Sequence, residues 1–522
     1  MKRILTLLIT LSLFIGVNTV SYASHEEEGE HHEHVADADH AGHGDAVADG
    51  HHGEDHAAGE HHGPAGWAVI PFVLLLLMIA TGPLFFEHFW HHHYPKVAIG
   101  LGILVSAYYY FGMHDSDSLV HTAAEYVQFI ALLAALFVSA GGIMIKVDKK
   151  GKPMVNVVLL LIGAFLANFI GTTGASMLLI RPFIRLNKGR VQPYHIMFFI
   201  FMVSNVGGSL TPIGDPPLFL GFLKGVPFMW TVSHNVVPWF FAVSLLGALF
   251  LYFDNKNKEG EDTGEEYTGK LSIVGGKNFL WIAIVIAAVF IDPNVVDSVP
   301  SINLVLHGIE TKISFIREII MLSVAGLAFY FSSKEALEGN EFEFEPIKEV
   351  AYIFIGIFFT MIPALQLVAA FATSPEGKEL ITINTLYWLT GALSGVLDNA
   401  PTYVNFLTAA ISVDGGSISQ ISDVQAYASG AGEFVSGTAV NPHSIMRLAA
   451  ISVASVFFGA MTYIGNAPNF MVKSIAEQSG VTMPSFVGYV IRYSLPILLP
   501  ILFLTWLIFI YFGAAEAIFA MM

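Results

Sequence analysis

Ser204-Asn-Val-Gly-Gly-Ser-Leu-Thr-Pro-Ile-Gly-Asp-Pro-Pro217 interrupts an otherwise apolar stretch in the first half of the chain, and Tyr463-Ile-Gly-Asn-Ala-Pro-Asn469 interrupts another in the second. Each is preceded by a further break: Asn168-Phe-Ile-Gly-Thr-Thr-Gly174 in the first half, Gly395-Val-Leu-Asp-Asn-Ala-Pro-Thr402 in the second. Helix breakers at membrane depth free backbone groups that lipid cannot satisfy, so they persist only where protein or a hydrated cavity covers them. Matching breaks in two halves point to a transporter's substrate site.

The surrounding composition makes membrane depth the right frame. Of 522 residues 54% are hydrophobic and 13% charged, with a mean hydropathy of +0.63, which excludes an ordinary soluble domain. Apolar runs long enough to cross ~30 Å of hydrocarbon recur along the chain. They predict an all-α polytopic protein with spans near 67–86, 95–113, 122–145, 194–223, 227–253, 278–291, 313–331, 349–371, 445–478 and 485–511. Two more segments, about 154–186 and 384–412, are interrupted near their middles and read as re-entrant hairpins.

Charge bias orients these segments. Lys146, Lys149, Lys150 and Lys152 precede the first hairpin, and Arg181, Arg185, Lys188 and Arg190 close it, so both flanks belong to the cytoplasm. Residues 411–444 contain no Lys or Arg and suit the periplasm, as do the flanks of the second hairpin. One hairpin thus opens inward and the other outward, as inverted-topology repeats over about 122–253 and 349–511 require. The linker 254–277 and the acidic loop 332–348 then fall in the cytoplasm.

At the N-terminus, Lys2 and Arg3, an apolar Ile4–Val20 and Ser21-Tyr22-Ala23 form a signal peptide over 1–24, with a first transmembrane helix as the alternative. Residues 25–63 hold eleven His, twelve Asp or Glu and no Lys or Arg, a composition that cannot bury a core and predicts a disordered periplasmic tail. Its imidazoles (His31, His32, His34, His51, His52, His61 and His62 among them) could hold a transition metal loosely or buffer protons; a solvated acidic tail without a ligand is the plainer reading. The tail supplies 12 of the 18 net negative charges, leaving −6 elsewhere, so overall acidity says little about the transport domain, 64–522. There is no cysteine, hence no disulfide framework and no thiolate metal site. No nucleotide-binding loop, nucleophile/base spacing or catalytic-metal motif occurs, which leaves transport driven by ion gradients and no enzyme.

The stretches 168–182, 204–219, 345–363, 395–406 and 459–470, with His121 and Glu125, resemble the NhaD-type sodium/proton antiporters. These lie within the ion transporter superfamily that also holds citrate, dicarboxylate and arsenite carriers. The resemblance implies two inverted repeats, each with a hairpin and a discontinuous helix, a homodimer in the bacterial inner membrane, and exchange of Na⁺ or Li⁺ for H⁺. No cofactor beyond the transported ion and no nucleic-acid partner is expected.

A cation/proton exchanger needs a carboxylate among neutral oxygens, since Na⁺ is a hard, oxygen-seeking ion. Asp398, beside Asn399 and Thr402, is the first candidate and Asp215 the second. An intramembrane carboxylate is costly and functional by default, although either Asp could simply cap a half-helix. Asn168, Thr172, Thr173, Ser204, Asn205, Thr211, Asn466 and Asn469 supply neutral oxygens at the breaks; singly, each could equally be interhelical glue. His121 and Glu125, four apart on one helix face, could pass protons or sense pH, or be an interfacial pair satisfied by water. A dicarboxylate or citrate symporter is the nearest rival, disfavoured by an ionised Asp at the hairpin tip. A metal or arsenite exporter lacks the thiolates, and a metal or pH sensor lacks a signalling domain.

Overall fold

A computed structural model describes residues 63–147, 151–257, 271–293, 296, 298–306 and 309–513. The expected signal peptide and nearly all of the His-rich tail, including the seven histidines named above, lie outside the described residues. The chain divides at Ala68 into a first unit and a second, Val69–Met522; of the first, only residues 63–68 are described, opening a short 3₁₀ turn at Gly66–Val69. Among the described residues eight helical segments are long and apolar enough to cross a membrane. The protein is an all-α polytopic membrane protein.

In chain order the long elements are α1 (Ile70–Phe85), α2 (Glu87–Ala107), α3 (Ser116–Gly141), α4 (Pro153–Leu186), the half-helices α5 (Pro193–Met202) and α6 (Pro216–Lys224), and α7 (Phe228–Lys256). There follow α8 (Asn278–Val289), α9 (Ile316–Phe331), α10 (Glu345–Thr373), α11 (Ile383–Ser394), α12 (Asn399–Ser412), α13 (Ser444–Phe458), α14 (Ala467–Gln478) and α15 (Phe486–Tyr511). Two antiparallel strand pairs were not anticipated: β1 (Met144–Val147) pairs with β2 (Leu271–Val274), and β3 (Ile302–Leu306) with β4 (Ile309–Ile313). The single spans expected near 194–223 and 445–478 are each two half-helices, because Gly-rich backbone at 203–215 and 459–466 leaves the helix.

α4 is folded back on itself. At 34 residues a straight helix would part its ends by about 51 Å. Instead the Gly151 amide donates to Leu186 O at 2.8 Å, and Asn156 and Asn187 exchange amide bonds of 2.8 and 2.9 Å. The reversal is at Gly171, whose φ of 74° and ψ of 157° lie where a Cβ is not tolerated. In the second half α11 and α12 flank the turn 395–398 and pack against each other.

The two hairpins enter from opposite ends of the bundle. At one end the Asn340 amide donates to Gly141 O and Ile143 O, Arg181 pairs with Glu341 at 2.8 Å, and Lys146 pairs with Glu335. The basic loops around the base of α4 therefore gather there. Asp254, expected in an open linker, is instead buried at this base, receiving Arg190, Tyr194 and Asn156 at 2.7 to 2.8 Å. At the other end Gln366 of α10, Ser412 at the end of α12, Ser417 beyond it, and His121 of α3 line one cavity. The outer helices cross-pack: α1 and α2 lie on α10, while α8 and α9 lie on α3. A Cβ at Gly356 would stand 2.7 Å from Ala98 O, so α2 and α10 meet at a small-residue contact.

The tight loops repeat. A Cβ at Gly214 would stand 2.1 Å from Gly208 O, and one at Gly465 would stand 2.5 Å from Gly459 O. Gly465→Ala should therefore lower the thermal stability of purified protein by about 1–3 kcal/mol, measured by detergent-solubilised unfolding; an unchanged midpoint would contradict the packing. Cysteines introduced singly at exposed Lys188 and Ser436 should react with an impermeant maleimide from opposite faces of oriented vesicles. Labelling of both from one face would refute the opposed hairpins.

Candidate functional site

The breaks of both halves converge on Asp215. Its residue is the N-cap of α6, followed by Pro216 and Pro217, a placement that starts a helix without wasting a donor. Thr172 Oγ1, just past the turn of α4, donates to Asp215 Oδ1 at 2.8 Å. Asn399 Nδ2, the first residue of α12, donates to Oδ2 at 2.7 Å, and Asn466 Nδ2, the N-cap of α14, to Oδ1 at 2.9 Å. All four residues are at most 2% exposed. Among the described residues no Lys or Arg donates to this set, so one carboxylate is held by neutral groups alone.

Around it lies a layer of amides that tie one half to the other. Asn205 Nδ2 donates to Asn469 Oδ1 at 2.7 Å, and Asn466 Nδ2 reaches Ser204 O at 3.1 Å. Ser204 and Ser176 share a hydroxyl bond of 2.7 Å. Asn469 Nδ2 donates to Gly459 O and Thr462 O, satisfying carbonyls freed by the 3₁₀ turn. Thr211 Oγ1 donates to Asn168 O at 2.6 Å, as Thr462 Oγ1 does to Gly395 O at 2.7 Å. Asn168 also holds Gly207 O and the Leu210 amide.

The expected residues thus separate into groups. Thr172, Asp215, Asn399 and Asn466 form the centre; Ser204, Asn205 and Asn469 brace it; Asn168 and Thr211 tie the first hairpin to its broken helix. Asp398, ranked first from sequence, is half-buried beside the centre: its Oδ1 accepts from the Ala400 amide at 3.0 Å as the N-cap of α12. Thr402 Oγ1 donates back to Asp398 O at 2.8 Å. Thr173 neighbours the centre in sequence and is partly exposed.

His121 and Glu125 do not join this centre. Their closest approach is 3.6 Å, and the shorter bond to Glu125 comes from Lys224 at 2.7 Å. Lys224 ends α6, so this near-buried ion pair links α3 to the half-helix that Asp215 begins. Sequence reasoning missed Lys224, although a lysine immediately before Gly225 at the end of an apolar half-helix was a legible signal.

Three half-helices, α6, α12 and α14, begin at this carboxylate, together with the second limb of α4. Helix N-termini carry about half a positive charge each, so the site is electrostatically suited to hold anionic groups, and it contains two of its own. A cation placed there would meet Asp215, Asp398 and the oxygens of turned amides.

No curated protein matches the chain. The family profile CitMHS_2, described as "Putative citrate transport", matches residues 61–510. Since that match covers most of the sequence and runs through both hairpins and both broken helices, the chain belongs to the CitMHS_2 family and is a secondary membrane transporter.

Proposed function

We propose that the protein exchanges Na⁺ for H⁺ by alternating access, with Asp215 as the exchangeable carboxylate and Asp398 as its neighbour. The observation that carries this is the neutral surround of Asp215. Without a fixed cation the carboxylate must be neutralised by something mobile, either a proton or a metal ion, and both cannot occupy it at once. Thr172, Asn399 and Asn466 donate to the carboxylate when no cation is present, and rotation of the two amides would turn their oxygens to Na⁺. In this reading the protein works as a homodimer in the bacterial inner membrane, with a periplasmic mature N-terminus, resembling NhaD-type antiporters in chemistry.

Citrate uptake coupled to Na⁺ is the second reading, favoured by the family's description and by the converging helix N-termini. It requires an anionic substrate beside two carboxylates. At ~4 Å and an effective dielectric of ~20, like charges repel by about 4 kcal/mol, which weighs against it.

Asp215→Asn should reduce Na⁺-dependent proton flux in proteoliposomes to background while expression and folding persist. Asn399→Ala removes one bond to a charged group, a loss of about 1.5–3 kcal/mol, and should change the half-saturating Na⁺ concentration by roughly tenfold or more. Normal flux in Asp215→Asn would dismiss the carboxylate's role. Wild-type vesicles given an inward Na⁺ gradient should not accumulate labelled citrate; accumulation abolished by removing Na⁺ would favour the symport reading instead.

A further inference from the structure

α12 carries polar side chains on one face along its whole length: Thr402, Asn405, Thr408 and Ser412, starting from Asp398. At 3.6 residues per turn they fall within about 120° of the helix circumference, over a rise of about 21 Å from Asp398 to Ser412. Thr402 and Thr408 spend their hydroxyl hydrogens on their own helix, and Asn405 one of its two amide hydrogens. Thr402 Oγ1 donates to Asp398 O at 2.8 Å, Asn405 Nδ2 to Pro401 O at 2.9 Å, and Thr408 Oγ1 to Val404 O at 2.8 Å. The two threonines therefore turn hydroxyl lone pairs away from the helix, and Asn405 presents its amide oxygen beside its second N–H.

The far end of this face opens into a cavity of about 220 Å³ that Thr408 and Ser412 line together with His121, Glu125, Lys224 and Gln366. The near end is Asp398, adjacent in the chain to Asn399, which holds Asp215. The corresponding limb of the other hairpin has no such face. The matched bonds of Thr211 to Asn168 and Thr462 to Gly395 set Ala175, Leu178, Arg181 and Arg185 opposite Thr402, Asn405, Thr408 and Ser412. The polar face is thus a property of α12 and not of the hairpin architecture.

We infer that this ladder of acceptors on α12 is the access route by which the cation passes between the cavity at Ser412 and the carboxylates at Asp398 and Asp215. The route rests on the cation reading above and adds to it the residues that desolvate the ion stepwise, as oxygen lone pairs replace water. An anion would find no hydroxyl hydrogen to meet at Thr402 or Thr408. Lys224 and Glu125 neutralise one another at the mouth and leave its selectivity to the ladder.

Native absence of cysteine permits a direct test in the full-length protein. Single cysteines at 405, 408 and 412 should react with a trimethylammonium methanethiosulfonate faster than with its sulfonate counterpart, Na⁺ should slow the reaction at 405, and a cysteine at 178 should stay unreactive. Thr408→Val should raise the half-saturating Na⁺ concentration roughly threefold or more, and Thr408→Ser should restore it. Inert cysteines at 405 and 408 together with unaltered Na⁺ dependence in Thr408→Val would overturn the route while leaving exchange intact. Faster reaction with the sulfonate would overturn its cation character. Loss of Na⁺-dependent proton flux in the wild type would instead defeat the exchange reading itself.

Discussion

Thr211 Oγ1 on Asn168 O and Thr462 Oγ1 on Gly395 O are two copies of one bond, each closing a hairpin onto the broken helix of its own half. Their need is set by the medium. Where a helix breaks in hydrocarbon, its carbonyls and amides must find partners within the protein, and side chains placed at the break supply them. Asn168 serves Gly207 O and the Leu210 amide; Asn469 serves Gly459 O and Thr462 O. The polar residues that look like a binding site in the sequence are thus first of all the reason the breaks can exist.

Function follows from the residue that this arrangement leaves over. Asp215 receives its bonds from side chains of three other elements, two of them in the opposite half, so the site exists only when both halves are in place. The same carboxylate starts α6, whose last residue, Lys224, is held by Glu125 of α3. An event at Asp215 is therefore mechanically joined to the helix packing at the bundle's far end through nine residues of rigid half-helix. Such a connection suits alternating access, in which the occupancy of one site must bias the placement of whole elements.

The halves are alike in framework and unlike in chemistry. Gly214 and Gly465 turn equally tight corners, yet Asp215 stands where the other half has Asn466. Along the second limbs of the hairpins, Thr402 and Asn405 stand opposite Ala175 and Leu178. Framework positions answer to the breaks in the backbone, which both halves share. The polar positions differ, and it is on this difference that the proposed exchange rests.

Much of this was legible from the amino-acid order. Apolar run lengths determined a polytopic helical protein, Gly, Pro and Asn marked all four breaks, and the lysines and arginines around 146–190 foretold that both ends of α4 lie together. These are local properties, set by what a bilayer permits of a backbone. What the sequence did not rank was Asp215 over Asp398, because both are acidic residues beside a break, and only packing decides whose carboxylate three distant side chains reach. Lys224 as the partner of Glu125, the burial of Asp254 and the pairing of β1 with β2 were likewise decided by tertiary structure. Each depends on contacts between segments far apart in the chain, on which hydropathy and periodicity carry no information.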